Sequence, residues 1–228
     1  MFEVQYIYHS FFKIKIGGKV FLIDPFIDSK APEGGMKKTM ECPVKMNRFM
    51  DADAILVSHE HFDHFDKKAI EAIAAKSGCT VIAHDELLAS LNISHRQKKP
   101  IDLKKKVNFG GIEIEPLPAH HPNSFYPMGF KIQGNGDSLV HTGDTDLTGV
   151  FSSLKADVLC IPIGGSITMD CVDAVRAVKT MEPKYAIPMH YNTFDIIKCS
   201  PFEFKEKIDK SILKTEAVVL KPGKTLKI

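Results

Sequence analysis

The sequence predicts an α/β fold in which helices cover β-sheets. Three observations carry this: a strand-rich start, a β-rich middle, and a final third in which strand and helix patterns alternate. Phe11–Ile16 alternates with a period close to two, Gly17-Gly18 turns the chain, and Lys19–Ile23 follows. Two β-rich runs joined by Gly-Gly predict a hairpin. Pro25 ends its second strand, and residues 29–47, punctuated by Pro32, Gly34, Gly35 and Pro43, read as a long loop. Met36, Met40 and Met46 leave its role open between a lid, packing on the core and packing on a second subunit. Ala54-Ile55-Leu56-Val57 is a short apolar run of the kind a buried strand shows. Residues 66–76 have helical spacing with Asp66 as N-cap. A strand over 80–83 and a short helix over 85–91 follow. Strands are expected near 107–109, 112–117, 128–133 and 138–141. The final third reads strand 157–161, helix 171–180, strand 185–189, helix 202–210, strand 216–220.

Composition narrows the function classes. With 44% hydrophobic and 25% charged residues over 228 positions, the chain is neither disordered nor fibrous, and it can bury a sizeable core. A net charge of +2 gives no bulk argument for nucleic acid or a membrane surface as partner. Lys104-Lys105-Lys106 reads as a solvated face. Purely apolar runs reach only four residues, as at 20–23 and 54–57, so no membrane span is expected. Met1–Gln5 lacks the basic and apolar regions of a secretory signal, which makes the cytoplasm the expected location. Cys42, Cys79, Cys160, Cys171 and Cys199 contain no Cys-x-x-Cys pair. Reduced thiols are expected rather than a disulfide framework or a four-cysteine zinc site.

The chemistry concentrates in residues 58–64, Ser-His-Glu-His-Phe-Asp-His, where three of the ten histidines fall within six positions beside an aspartate. Each of these side chains can donate nitrogen or oxygen to a metal. The segment follows an apolar strand and precedes a helix, so a rigid scaffold holds it at the surface. The same logic recurs at other strand ends. The 112–117 strand runs into Pro118-Ala119-His120-His121, the 138–141 strand into Thr142-Gly143-Asp144-Thr145, and the 185–189 strand into His190-Tyr191-Asn192. One histidine after a strand is ordinarily structural. Four strand ends with the same chemistry can converge on one edge of the sheets.

His59-x-His61-x-Asp63-His64, followed by a histidine, an aspartate and a histidine on later strand ends, resembles the metallo-β-lactamase fold superfamily. Residues 21–25, 141–145, 162–170 and 187–191 are similar to its small single-domain metal-dependent hydrolases. The resemblance implies an αββα sandwich, two mixed β-sheets packed face to face with helices outside, formed by residues 1–228 as a single domain. It implies two divalent metal ions, zinc first, with manganese or iron as alternatives. His59 and His61 would hold one with His121, favoured because family members tend to have Pro-Ala-x-His here, with His120 as the runner-up that the doubled histidine leaves open. Asp63 and His64 would hold the other with His190, and Asp144 would bridge both. Asp24 matches a position that supports the site by hydrogen bonding. His9 either faces the site or is an ordinary strand histidine. Thr168 and Tyr191 stand on segments that form either the substrate rim or plain turns.

The chemistry implied is hydrolysis by a metal-bridging hydroxide attacking a carbonyl or phosphoryl centre, with Asp63 and Asp144 as the catalytic carboxylates. Such a site carries a formal charge of about +1 and would draw a small polar or anionic substrate, a lactone or phosphoester being the guess. The alternatives are a di-iron redox protein and a non-catalytic metal-binding protein. The redox branch typically has glutamate where this chain has His61. A nucleic-acid substrate is not expected, and a homo-oligomer is left open.

Overall fold

The computed structural model describes residues 2–27, 30 and 35–228. In chain order these form β1 (Glu3–Tyr8), β2 (Phe11–Ile16), β3 (Lys19–Ile23), β4 (Ala54–Leu56), α1 (Lys67–Ser77), β5 (Thr80–Ala83), α2 (Asp85–Ser90), β6 (Lys98–Pro100), β7 (Val107–Phe109), β8 (Ile112–Pro118), β9 (Met128–Gly134), β10 (Asp137–His141), β11 (Val158–Pro162), α3 (Cys171–Met181), β12 (Tyr185–Met189), α4 (Pro201–Asp209), β13 (Glu216–Ala217) and β14 (Thr225–Lys227). One seven-stranded sheet has the order β14-β1-β2-β3-β4-β5-β6, the other β13-β12-β11-β10-β9-β8-β7. Each is mixed: β1, β2 and β3 pair antiparallel while β3 through β6 run parallel, and β7 through β10 pair antiparallel while β10 through β13 run parallel.

The two-residue period of each strand decides the layers. Phe21, Ile23, Ala54 and Leu56 face inward and meet Leu139, Val158, Cys160, Ile187 and Met189 of the other sheet in one buried cluster. The alternate positions face outward. Leu22, Ile55 and Val81 pack beneath Ile70, Ile73 and Ala74 of α1 and Leu87 and Leu88 of α2. Val140, Leu159 and Ile161 pack beneath Ala174, Val178 and Met181 of α3 and Phe204 of α4. The result is the expected αββα sandwich. Asp66 caps α1 by accepting from the Ala69 amide at 3.1 Å and also accepts from the Ile27 amide at 3.0 Å. Among the described residues, no helix is long and apolar enough to cross a membrane.

Where the elements differ from expectation, pairing with distant partners is the reason. The strand expected over 216–220 is short, Glu216–Ala217, since β12 offers it only Tyr185 and Ala186 as partners, with one further bond from the Val218 amide to the Ala186 carbonyl. The edge strands β6 and β14 are three residues each and draw their order from β5 and β1. In the 29–47 segment, residues 29 and 31–34 lie outside the described residues, so a lid there is untested. The remainder is docked. Met36, Met40 and Met46 pack against the α1 and α2 layer, and the Lys37 and Thr39 amides bond to Asp195 and Thr193.

The C-terminal ends of β3, β4, β8, β10 and β12 lead into the polar segments, which places those segments together at one end of the sandwich. Close backbone approach is needed there. An added Cβ at Gly129 would lie 2.6 Å from the Thr142 carbonyl oxygen, and one at Gly143 2.6 Å from that of Met128. Gly143 also has φ +61°, a left-handed conformation that suits glycine. Gly129→Ala is therefore expected to lower unfolding stability by about 2 kcal/mol, since two backbones must separate. Urea denaturation measures this, and an unchanged midpoint would contradict the tight crossing.

Candidate metal centre

The loop after β4 folds back on itself: the His64 and Phe65 amides both donate to the His61 carbonyl, at 2.9 and 2.8 Å. This short turn brings His59, His61, Asp63 and His64 around a common space. His121 arrives from the end of β8, Asp144 from the turn after β10, and His190 from the end of β12. His121 Nε2 lies 2.9 Å from His61 Nδ1. Asp144 Oδ2 lies 2.9 Å from His190 Nε2, 3.2 Å from His64 Nε2 and 3.8 Å from His121 Nε2. Asp63 Oδ2 lies 3.1 Å from His9 Nε2 and 3.9 Å from His190 Nε2. The donor atoms form three overlapping groups: His59, His61 and His121; His59, His64 and Asp144; His9, Asp63, His64 and His190.

An outer ring of hydrogen bonds sets which nitrogen of each imidazole faces inward. Asp24 accepts from the Ser58 amide at 2.7 Å, from Ser58 Oγ at 2.6 Å and from His64 Nδ1 at 2.8 Å. With its hydroxyl proton committed to Asp24, Ser58 Oγ accepts from His59 Nδ1 at 2.9 Å. His121 Nδ1 donates to the Ile167 carbonyl at 3.0 Å. In all three histidines Nδ1 donates outward and Nε2 faces the cluster, the arrangement metal-binding imidazoles use; on His64 a cation would take the place of the proton that Asp144 otherwise favours on Nε2. Among the described residues, His59 Nε2, His64 Nε2 and Asp144 Oδ1 are buried in the cluster without a hydrogen-bond partner; so are Ser10 Oγ, Thr148 Oγ1 and His190 Nδ1, the His190 nitrogen other than the one facing Asp144. Buried polar atoms of this kind ordinarily find partners, so orphans clustered in one place fit a cation.

Electrostatics agree. Burial works to raise the pKa of Asp63, yet the bond from His9 and the nearby His64 and His190 hold it well below the usual carboxylate range. Asp144 is likewise held low against burial, by His190 and His64. Burial works to lower His64, but Asp144 and Asp24 push it well above its ordinary value. Burial and His64 drive His59 well below its ordinary value, burial lowers His121, and burial together with His190 brings His9 down to about 4. Two ionised carboxylates inside a ring of imidazoles call for positive charge, and a divalent cation supplies it without protonating nitrogen.

Of the doubled histidines, His121 joins the cluster. The His120 side chain is 71% exposed and pairs outward with Asp146 at 3.0 Å. Thr168 bonds to the Gly165 carbonyl of its own loop, and Tyr191 stacks on Tyr6 beside the α3 and α4 layer, so neither side chain is among the converging donors. His9 is fully buried against the cluster rather than half-exposed in a strand. Three contributors escaped the sequence reading. Ser58 links Asp24 to His59. His141 donates from Nε2 to the Ser10 carbonyl and accepts the Gly143 amide on Nδ1, fixing the turn before Asp144. Glu60 points away and accepts from Ser124 Oγ at 2.9 Å and the Phe125 amide at 3.0 Å, pinning the loop that follows His121. Their signal was adjacency to motif residues; their roles depend on partners 34 or more positions away. A surface recess of about 710 Å³, between Glu182–Tyr185 and Ile212–Glu216, lies at the other end of β12 from the cluster.

Comparison with known proteins gives a consistent picture. A family model described as a beta-lactamase superfamily domain matches residues 3–190. A UPF0173 metal-dependent hydrolase of Carboxydothermus hydrogenoformans is 35% identical, with 97% of each chain covered. Among solved structures, Igni18, a metallo hydrolase of the archaeon Ignicoccus hospitalis, superposes with a TM-score of 0.84 at 26% identity, covering 99% of this chain and 97% of its own. An isothiocyanate hydrolase from Delia radicum gut bacteria shares the fold, with a TM-score of 0.84 at 17% identity and 99% of each chain covered.

Asp24→Ala removes the acceptor of three buried donors. It is expected to reduce stability by about 3 kcal/mol and metal affinity by roughly 10- to 100-fold. Denaturation and metal titration measure the two effects; a variant with wild-type metal affinity would contradict the orienting role.

Proposed function

Because the chain belongs to the beta-lactamase superfamily domain family, and within it to the UPF0173 metal-dependent hydrolases, we propose that it hydrolyses a small polar or anionic substrate at a carbonyl or phosphoryl centre, using two divalent cations. Residues 1–228 act as one hydrolase domain. His59, His61 and His121 hold the first cation. Asp63, His64 and His190 hold the second. Asp144 serves both, a role supported by its short distances to His64, His190 and His121. The observation that carries this reading is the set of buried, unpartnered donor atoms on His59, His64 and Asp144, which lie in one donor group. An all nitrogen-and-oxygen donor set suits zinc first, with manganese and iron as alternatives.

When bound, the cations supply Lewis acidity and lower the pKa of a water toward roughly 7. The protein's own groups do the rest. Asp24 and the Ile167 carbonyl keep His64 and His121 in the tautomer that points Nε2 inward. Asp63, 7% exposed against 2% for Asp144, is the more open carboxylate and the one placed to orient a water by accepting its hydrogen bond. His61 is half-buried while His59 and His64 are closed off, so substrate enters from the His61 side. There Glu60 holds the loop that carries Phe125, 53% exposed, whose ring lies edge-on to His84 at 5.4 Å. The substrate panel begins with lactones and phosphoesters and includes an isothiocyanate, whose carbon is also electrophilic. Cys79, Cys160, Cys171 and Cys199 are reduced thiols, which suits a reducing compartment, and on that ground we assign the chain to the cytoplasm.

Elemental analysis of protein purified without added metal or chelator tests the proposal. It is expected to show about two divalent ions per chain, lost with chelation together with activity. His121→Ala is expected to retain about one ion or fewer, and His120→Ala the wild-type content. Equal losses in the two variants, or a wild-type protein that takes up no metal, would contradict the assignment. Iron as the bound metal would favour the di-iron redox alternative. A loaded protein inert on the whole panel would favour a non-catalytic one.

A further inference from the structure

We infer that His9 is the positioning residue of the second cation subsite: its ring fixes Asp63, its backbone fixes His190, and it is not itself a ligand. The inference rests on the proposed dinuclear site and adds to it a role for the turn between β1 and β2.

That turn is built for the purpose. The β1–β2 register shifts between Tyr6 and Tyr8, a bulge that re-aims the end of the strand. His9 then takes φ +57°, a conformation uncommon for a side-chain-bearing residue and one that persists only when surrounding contacts hold it. The ring is fully buried, 4.3 Å from the ring of His190 and 5.5 and 5.7 Å from those of Phe26 and Phe194. Its two nitrogens are both engaged. Nε2 lies 3.1 Å from Asp63 Oδ2 and Nδ1 lies 2.5 Å from Thr193 Oγ1. An ionised carboxylate only accepts, so the proton sits on Nε2, and Nδ1 accepts from the Thr193 hydroxyl. His64 and His121, by contrast, donate outward from Nδ1 and keep Nε2 free for the cluster. His9 has no lone pair left to offer a cation, although it stands among the donors.

Its backbone completes the arrangement. The His190 amide donates to the His9 carbonyl at 3.0 Å. The next carbonyl, that of Ser10, accepts from His141 Nε2 at 2.9 Å, and His141 sets the turn that carries Asp144. One two-residue turn thus ties together the loops of Asp63, His190 and Asp144, which come from three separate strand ends.

Zinc stoichiometry and second-site affinity, measured by titration against a competing chelator, separate a positioning residue from a ligand and from packing. His9→Gln keeps an N–H donor near the position of Nε2. His9→Phe keeps the ring and removes the donor. Thr193→Val removes only the hydroxyl that orients the ring. The unfolding midpoint of each variant serves as the folding control. Wild type is expected to hold about two zinc ions and His9→Phe about one, with second-site affinity down roughly 10- to 100-fold. Thr193→Val is expected to lose affinity in the same direction but less, and His9→Gln to stay near wild type. If His9→Gln loses the second ion as fully as His9→Phe, His9 does not act through its donated hydrogen bond and the inference fails. It also fails if His9→Phe and Thr193→Val both bind two ions at wild-type affinity. A wild-type protein with a single zinc ion instead overturns the dinuclear reading, and the subsite disappears with it.

Discussion

Asp63 and Asp144 lie buried in the same small volume, 7% and 2% exposed, and each remains ionised. Removing two carboxylates from water is strongly unfavourable unless positive charge and hydrogen-bond donors meet them. In this molecule imidazoles from four loops do so, and a divalent cation does so better. Much of the architecture around the cluster follows from that requirement. Strands from both sheets must end at the same place, the chain must turn within a residue or two, and outer partners must fix each ring. His9, Asp24 and His190 all have positive φ, between 51° and 57°, three of the eight non-glycine residues of this kind among the described residues, so part of the backbone strain sits where the charges converge.

The ring of outer hydrogen bonds distributes the work between the two sheets. Asp24, at the end of β3, orients Ser58 and His64 on the neighbouring β4 loop. The Ile167 carbonyl, in the loop between β11 and α3, orients His121 from the end of β8. The β1–β2 turn reaches across to His190 and to His141, which belong to the opposite sheet. The inter-sheet core of Phe21, Ile23, Leu56, Val158, Cys160 and Met189 lies directly beneath these strand ends. Close packing of that core keeps the two halves of the site at a fixed separation. Beside the cluster, Phe125 stands on a more exposed loop pinned by Glu60. The same sandwich supports different reactions through such loops, so the fold by itself does not name a substrate.

What was legible in the sequence was whatever local pattern expresses. Apolar runs such as 54–57 and 158–161 announced buried strands, Asp66 announced the start of α1, and histidines crowded at a strand end announced the cluster. The residues alone left the choice between His120 and His121 open, with the family resemblance favouring His121, because adjacent residues point to opposite sides and the Ile167 carbonyl and Asp146 decide which faces inward. Ser58, Glu60 and His141 read as ordinary neighbours of the motif, since their partners are far away in sequence. The short edge strands β6 and β14 carry no periodicity of their own and exist through pairing. Tyr191 was singled out for its place beside His190, but a change of side at the next residue sends its ring against Tyr6 instead.

The central claim is that one frame of outer hydrogen bonds holds two adjoining cation subsites. A crystal structure of the zinc-loaded protein, with anomalous differences recorded at the zinc edge, tests it most directly. The account predicts two anomalous peaks, one enclosed by His59, His61 and His121 and one by Asp63, His64 and His190, with Asp144 between them and the ring of His9 still bonded to Asp63. A single peak, or a second peak ligated by His9 or His120, would contradict it.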